Sequence, residues 1–470
     1  MGEARKAVAK QQKALISCAG LQTAQGRVQV RWETDSATTP MGQLAYFIEF
    51  LTLTGLWTRW LESCPLKYQS PNAPSQADVL GTWMLSILSG HRRYAHVTAI
   101  RGDGVTPGLL GMNKVVSEDS LRRAIKAIPE EDGVNWLDGQ LAASVRPLLE
   151  LPWVLDIDTT VKVLYGHQEG AVVSYNPKKP GRPSHSYHTY IMAGLRLVVG
   201  AEVKAGNEHS GSHTLPGLLK ILDELEPGKK PKIVRGDCGF GSDNIMREME
   251  MREQGYLFKL RLSKNVKRLI EDLFWQSGWT EAGQGWEGKD AELTLTGWES
   301  PRRVVVLRRP LKGEIVVPQD SPGQTWLGFI ELGRKDGKKV TGYEYAVLVT
   351  NLEHPILSLG QLYRDRADAE NVFDELKNQW GWGGYTTKDL HRCQLTSRTV
   401  ALIYNWWSLF VRLAHPGQRK EAITSRPWLM SSIGRKTEHA GQTTITINGV
   451  HAHVEKAKRA LTKVSTLLNT

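Results

Sequence analysis

The sequence predicts an α/β protein: a mixed sheet with helices packed on it, broken by a β-rich insertion, preceded by a helical region and followed by a basic one. Three observations lead there. Up to about residue 150 the apolar residues recur at helical spacing, and from Pro152 the period changes to short β-branched runs bounded by turns. Helical patterns such as TLPGLLKILDELE lie between those runs, as in a sheet with helices on its faces. Between about Gln276 and Glu353 the helical signal disappears, and it returns at Ser358. The regions expected are therefore 1–150 (helical), 151–275 (first part of the core), 276–353 (β-rich insertion), 354–414 (second part of the core) and 415–470 (basic).

Each element has a local cause. Ser75 to Leu88 carries apolar residues at helical spacing and Gly90 stops it; HRRYAHVTAIRG makes a second short helix. Ser117 caps SEDSLRRAIKAI, and Pro129 ends it. Short helices with glycine-rich turns, the last presenting Arg122, Arg123 and Lys126, resemble a helix-turn-helix. WVLDIDTTVKVLYG, GAVVSYNP and YIMAGLRLVVGAEVKAG then read as three adjacent strands, and PKIVRGDCGF as a fourth beyond a helix. WTEAGQGWEGKDAELTLTGWES, RRVVVLRRP, GEIVVP and QTWLGFIELG read as strands of the insertion. Thr399 to Leu413 is shorter than the roughly 20 residues of a bilayer-spanning helix and reads as a buried core helix.

Composition narrows the partner. The 470 residues, 40% of them hydrophobic and 23% charged, can bury a sizeable core, which argues against a disordered tail or a membrane protein. A net charge of +11 points to a negatively charged partner. Residues 1–150 contribute +2 and the rest +9, of which the 56 residues from His415 hold +6. Cys18, Cys64, Cys238 and Cys393 have no zinc-like spacing and form no disulfide framework, which fits a reducing cytosol. No secretory signal is read at the N-terminus. Sixteen tryptophans need a home.

The chemistry is carried by three carboxylates. Asp158 lies in an apolar strand, where a carboxylate is costly unless something offsets it, and Asp156 shares its face. Asp237 follows a second apolar run at a strand end, where Gly236 and Gly239 permit a tight turn. The third belongs to the helix predicted over SLGQLYRDRADAENVFDELKNQW. At about 100° per residue, Tyr363, Arg366, Glu370 and Lys377 fall within about 60° of arc, spread over about 21 Å of axis, with Asp374 adjoining. That face suits a phosphate backbone, with Glu370 on a metal. Hard cations such as Mg²⁺ need oxygen ligands, so carboxylates converging from separate elements make a suitable site. Two such ions can assist the attacking and leaving oxygens of a phosphoryl displacement.

Asp158 in DIDTT, Asp237 in RGDCGFG and the series Tyr363, Arg366, Glu370, Lys377 closely resemble the Asp-Asp-Glu transposases of bacterial insertion sequences, in the branch with a Tyr-Arg-Glu-Lys signature; LYGHQEGAVVSYNP is also similar to that branch. The resemblance covers roughly residues 150–410. It implies an RNase H-like core in which the 133 residues from Asp237 to Glu370 hold the β-rich insertion. It implies two Mg²⁺ ions, replaceable by Mn²⁺, on Asp158, Asp237 and Glu370, and contacts from Tyr363, Arg366 and Lys377 to phosphates of the element's end. Asp156 competes with Asp158 as first ligand; Asp158 is preferred because Thr follows it directly. The reaction implied is cut-and-paste transposition: water attacks at the end, and the freed 3′-OH attacks the opposite strand or the target. The partners implied are double-stranded DNA, as terminal inverted repeats and target, and a second copy of the chain. The location implied is the nucleoid of a bacterial cytoplasm.

Further DNA contacts are expected from Arg122 and Arg123 of the helical region, taken as end-binding, and from Lys178, Lys179 and Arg182 in the loop KKPGRPSHSYH. In related enzymes an insertion Trp stacks on a flipped base; Trp279, Trp286, Trp298 and Trp326 are candidates, and Trp298 is the choice. The alternatives are an RNase H-like nuclease or resolvase, and a non-catalytic DNA-binding derivative. A glycosidase with paired carboxylates and Trp platforms fits neither the basic charge nor the Tyr/Arg/Lys face.

Overall fold

The computed structural model describes residues 18–68, 70–176, 179–311, 329–330 and 342–469. A hairpin of β1 (Cys18–Thr23) and β2 (Gly26–Arg31) turns at Gly26, whose φ of +113° only glycine adopts readily. After β3 (Thr38–Thr39) come the helices Leu44–Leu53, Leu56–Glu62, Gln76–Leu88, Glu118–Ala127 and Glu130–Val145. Gln76–Leu88 begins at a capping box: Asp78 N donates to Ser75 Oγ, and Ser75 N donates to Asp78 Oδ2. Ser117 caps the helix Glu118–Ala127 as its sequence foretells. HRRYAHVTAIRG forms only a 3-10 helix, Tyr94–Ile100.

From Val154 the β-branched runs pair. The strands are β4 (Val154–Val163), β5 (Val172–Val173), β6 (Pro183–Met192), β7 (Leu197–Ala205), β8 (Ile233–Gly236) and β9 (Tyr256–Lys259). The order β7-β6-β4-β8-β9 is antiparallel up to β4 and parallel from β4 to β9; β5 shares the outer edge of β6 with β7. Helices Gly211–Glu224, Asp243–Met251 and Lys264–Phe274 supply apolar side chains to the core on this sheet.

The stretch expected as a β-rich insertion prolongs the same sheet. Its strands are β10 (Thr280–Gly283), β11 (Trp286–Leu293), β12 (Arg302–Pro310), β13 (Phe329–Ile330) and β14 (Tyr343–Thr350). They follow in the order β9-β14-β12-β11-β10, with β13 on β14, giving eleven strands among the described residues. The physical reason is the edge of β9. Tyr256, Leu257 and Phe258 are wholly buried, and β14 takes up hydrogen-bonding groups that would otherwise be left open.

The long helix Leu390–Ala414 packs on β7 and on the N-terminal helices. Most tryptophans find their home here: Trp60 stacks on Trp136 at 5.9 Å and meets Trp406 edge-on at 5.5 Å. After the helix Ala422–Leu429, β15 (Gly434–His439) pairs with β16 (Gln442–Ile447) and with β3, and the helix Val454–Leu468 lies on Leu44–Leu53. Its Ala457, Leu461 and Val464 are buried, while Lys456, Lys458, Arg459 and Lys463 are exposed. Among the described residues no helix is long and apolar enough to cross a membrane.

Candidate active site

The parallel register of β4 and β8 sets the site. Ile157 lies opposite Gly236, the last pair of that ladder, so the next residue on each strand, Asp158 and Asp237, emerges at the same end of adjacent strands. Adjacent strands stand about 4.8 Å apart. The chain after Asp237 turns sharply: Phe240 N donates to the Asp237 carbonyl at 3.1 Å, and Gly239 N donates to Asp237 Oδ1 at 2.8 Å. Gly236 is needed because a Cβ there would lie 2.7 Å from the Phe240 ring.

Asp158 is held from two sides. Thr159 N donates to Oδ1 at 2.7 Å, and Arg366 Nη2 donates to Oδ2 at 2.6 Å. Burial pushes the Asp158 carboxyl up to about 6; the Arg366 charge opposes that rise, and the Asp237 and Glu370 charges add to it. Those two carboxylates thus act electrostatically on Asp158. Tyr363 is similarly raised to about 12, by burial first, against Arg366 and with Asp237.

The single helix expected over residues 358–380 is two helices, Ile356–Arg364 and Ala367–Gln379. Between them Arg366 N donates to the Tyr363 carbonyl, Asp368 N to Asp365 and Ala369 N to Arg366, the tight i to i+3 pattern of a 3-10 turn. Tyr363 therefore lies in the last turn of one helix, while Arg366 caps the next and turns its guanidinium inward to Asp158. Arg366 and Glu370 keep their neighbour relation at 3.9 Å. Lys377 Nζ donates to Thr160 Oγ1, and Asp374 is exposed and accepts from Asn378.

Oxygen donors alone are the chemistry a hard divalent cation prefers. Among the described residues, however, no three His, Cys, Asp or Glu side chains gather closely enough to hold a metal ion. Glu370 is 73% exposed, and the cation against Asp158 is Arg366. Asp156 is occupied otherwise: it is fully buried and paired with Arg235.

The remaining candidates are dispersed. Arg122 pairs with Glu118 at 2.8 Å and covers the Tyr94 ring, whereas Arg123 is exposed. Lys179 and Arg182 are exposed beside β6, with Arg182 over the Tyr165 ring; Lys178 lies outside the described residues. Trp298 is half-buried under Arg302, Trp279 lies under Arg308 and Trp286 under Arg309, so β12 covers each ring with an arginine; Trp326 lies outside the described residues. Sequence reasoning missed Arg235, and also Lys162, which lies on the face of β4 that carries Asp156 and Asp158. The period-two pattern contained that signal.

Comparison with curated proteins gives no match. Among solved structures the chain is similar to a cryo-EM structure of a piggyBac transposase synaptic complex with hairpin DNA, at 10% identity and a TM-score of 0.40, over 93% of this chain and 84% of that one. The family model described as Transposase DDE domain group 1 matches residues 69–467, which contain Asp158, Asp237 and Glu370, and the chain belongs to that DDE transposase family.

Proposed function

We propose that this transposase cuts DNA at the ends of a mobile element and joins the freed 3′-OH to target DNA by cut-and-paste transposition. In this reading Asp158, Asp237 and Glu370 are the catalytic carboxylates of an RNase H-like core. The observation that carries it is the side-by-side emergence of Asp158 and Asp237 from adjacent parallel strands, with the Glu370 helix anchored to Asp158 through Arg366. The strand order β7-β6-β4-β8-β9 supports the same reading. The series Tyr363, Arg366, Glu370, Lys377 supports placement in the insertion-sequence branch with that signature.

Members of the DDE family generally use divalent metal ions. Asp158 and Asp237 would hold Mg²⁺, or Mn²⁺ in its place, and Glu370, exposed in this arrangement, would complete the set by turning its side chain toward them. When bound, such ions activate the attacking oxygen and stabilise the leaving one. Arg366 orients Asp158 and balances its charge; Tyr363 and Lys377 face the DNA backbone. The substrates proposed are duplex ends carrying inverted repeats, paired by a homodimer, with Lys179, Arg182 and Arg123 as outlying phosphate contacts.

The test uses duplexes from the DNA flanking the reading frame. Asp158→Asn, Asp237→Asn and Glu370→Gln abolish cleavage in Mg²⁺ and leave end binding largely intact. Undiminished cleavage by these variants overturns the assignment. Cleavage by the wild type without joining of marked ends to a target assigns a nuclease instead.

A further inference from the structure

The face of β4 that carries Asp158 continues past it. Asp156, Asp158, Thr160 and Lys162 alternate onto one side of the strand, and the charge changes sign along them. Beyond Asp158 this face borders a pocket of about 230 Å³, lined by Arg92, Thr160, Lys162, Lys377 and Asn378 among others, with no carboxylate in its wall. The three cations come from three elements: the segment after the helix Gln76–Leu88, the strand β4 and the helix Ala367–Gln379.

Lys162 is 7% exposed. Its Nζ donates to the Gly384 carbonyl and to the Tyr187 hydroxyl at 3.3 Å, and no Asp or Glu oxygen of the described residues is in ion-pair contact with it. A buried ammonium is costly; burial pushes the Lys162 amine down to about 8, and the nearby Cys393 thiol opposes that fall only in part. An anion entering the pocket offsets that cost. Arg92 is set in place by the turn Gly381–Gly384. A Cβ on Gly384 would lie 2.1 Å from the Arg92 carbonyl, Tyr385 N donates to that carbonyl at 2.6 Å, and Arg92 Nη2 donates to the Asn378 carbonyl. Thr160 stands about 6.6 Å along the strand from Asp158, the reach of about one nucleotide of backbone.

We propose that Arg92, Thr160, Lys162 and Lys377 form a binding site for a single DNA phosphodiester, the one adjoining the phosphate cut beside Asp158. The proposal rests on the transposase reading above and adds to it two residues, Arg92 and Lys162, and a register for the strand.

Neutral methylphosphonate linkages placed one at a time in a duplex that the wild-type protein cuts test it. A neutral linkage beside the cut position weakens wild-type binding by about tenfold, the scale of a lost charge-assisted contact. Arg92→Gln and Lys162→Gln bind the charged and neutral duplexes equally at that position and keep wild-type sensitivity elsewhere. Arg92 is exposed, so Arg92→Gln reports even where Lys162→Gln fails to fold. Wild-type sensitivity at that position in Arg92→Gln overturns the pocket while leaving the transposase reading intact. A wild-type protein that neither binds nor cuts any flanking duplex overturns both. Thermal stabilisation of the wild type, but not of the variants, by millimolar inorganic phosphate, with an unchanged interference profile, assigns the pocket to a small phosphate and overturns the DNA assignment.

Discussion

Arg235 and Asp156 face each other across the parallel pair β8 and β4, joined by two charge-assisted hydrogen bonds of 2.6 and 2.8 Å and both buried. Arg235 also donates to the Leu362 carbonyl, in the last turn of the helix that delivers Tyr363 and leads into Arg366. One buried ion pair thus ties both aspartate-bearing strands to the segment that meets Asp158. Removing one partner of such a pair leaves an uncompensated charge and costs about 3–5 kcal/mol. Asp156→Ala is therefore expected to lower unfolding stability by about that amount in urea denaturation. Asp158→Asn, which keeps the side-chain shape and an acceptor oxygen for its donors, is expected to cost much less. A loss under about 1 kcal/mol for Asp156→Ala contradicts the strut.

Divalent cations provide a second expectation. A ligand that binds only the folded state stabilises it by RT ln(1 + [L]/Kd), about 2.7 kcal/mol at a hundred times Kd. Adding Mn²⁺ is expected to raise the Tm of the wild type and to leave Asp158→Asn and Asp237→Asn unmoved. Arg366→Ala, which removes the guanidinium held against Asp158, is expected to start from a lower Tm and to gain more from the metal. Equal shifts in the wild type and both aspartate variants place the ion elsewhere.

What was legible in the sequence divides along physical lines. Caps and periods are local, so the cap Ser117, the helical period from Ser75 and the strand carrying Asp158 can be read directly. The break at Asp365–Arg366 could not be. It accompanies Arg366 turning to a carboxylate 208 residues away, and a helical wheel assumes that no such pull exists. The union of β14 with β9 likewise depends on which edge is open, a property of the assembled sheet. Arg235 reads as a charge in an apolar run, and its partner emerges only with the register Asp156 to Arg235. Lys162 is legible by alternation from Asp158, four residues along the same face of the strand.

His91 gives a pH dependence. Its Nδ1 lies 3.0 Å from Ser86 Oγ, which also meets the Tyr385 hydroxyl at 2.9 Å. Burial first, then the His96 and Arg426 charges, push the imidazole down to about 4 from an ordinary value near 6.5. The unfolded chain then binds more protons than the folded one between those values. The His91 contribution is thus fully present above about pH 6.5 and is lost as the pH falls toward 4. His91→Gln is expected to flatten part of the decline between pH 6.5 and 4 in urea midpoints, with no change in slope above pH 7. A decline of unchanged depth in the variant removes His91 as its source.

Two glycines should respond in opposite directions. Gly384 sits where an added Cβ would meet the Arg92 carbonyl at 2.1 Å, a backbone atom that cannot swing aside. Gly384→Ala must therefore separate the turn from the segment 91–93 and strain the hydrogen bond from Tyr385 N. Gly139 lies within the helix Glu130–Val145 with nothing inside 4 Å of an added Cβ. There alanine removes backbone freedom from the unfolded chain and is expected to stabilise by about 0.5–1 kcal/mol. Thermal melts should show Gly139→Ala above and Gly384→Ala below the wild type. Because Arg92 moves with its carbonyl, Gly384→Ala is also expected to lower the slope of log affinity against log salt by about one phosphate contact. A melt lowered with the salt slope untouched would mean that the turn supports the fold without placing Arg92 on DNA.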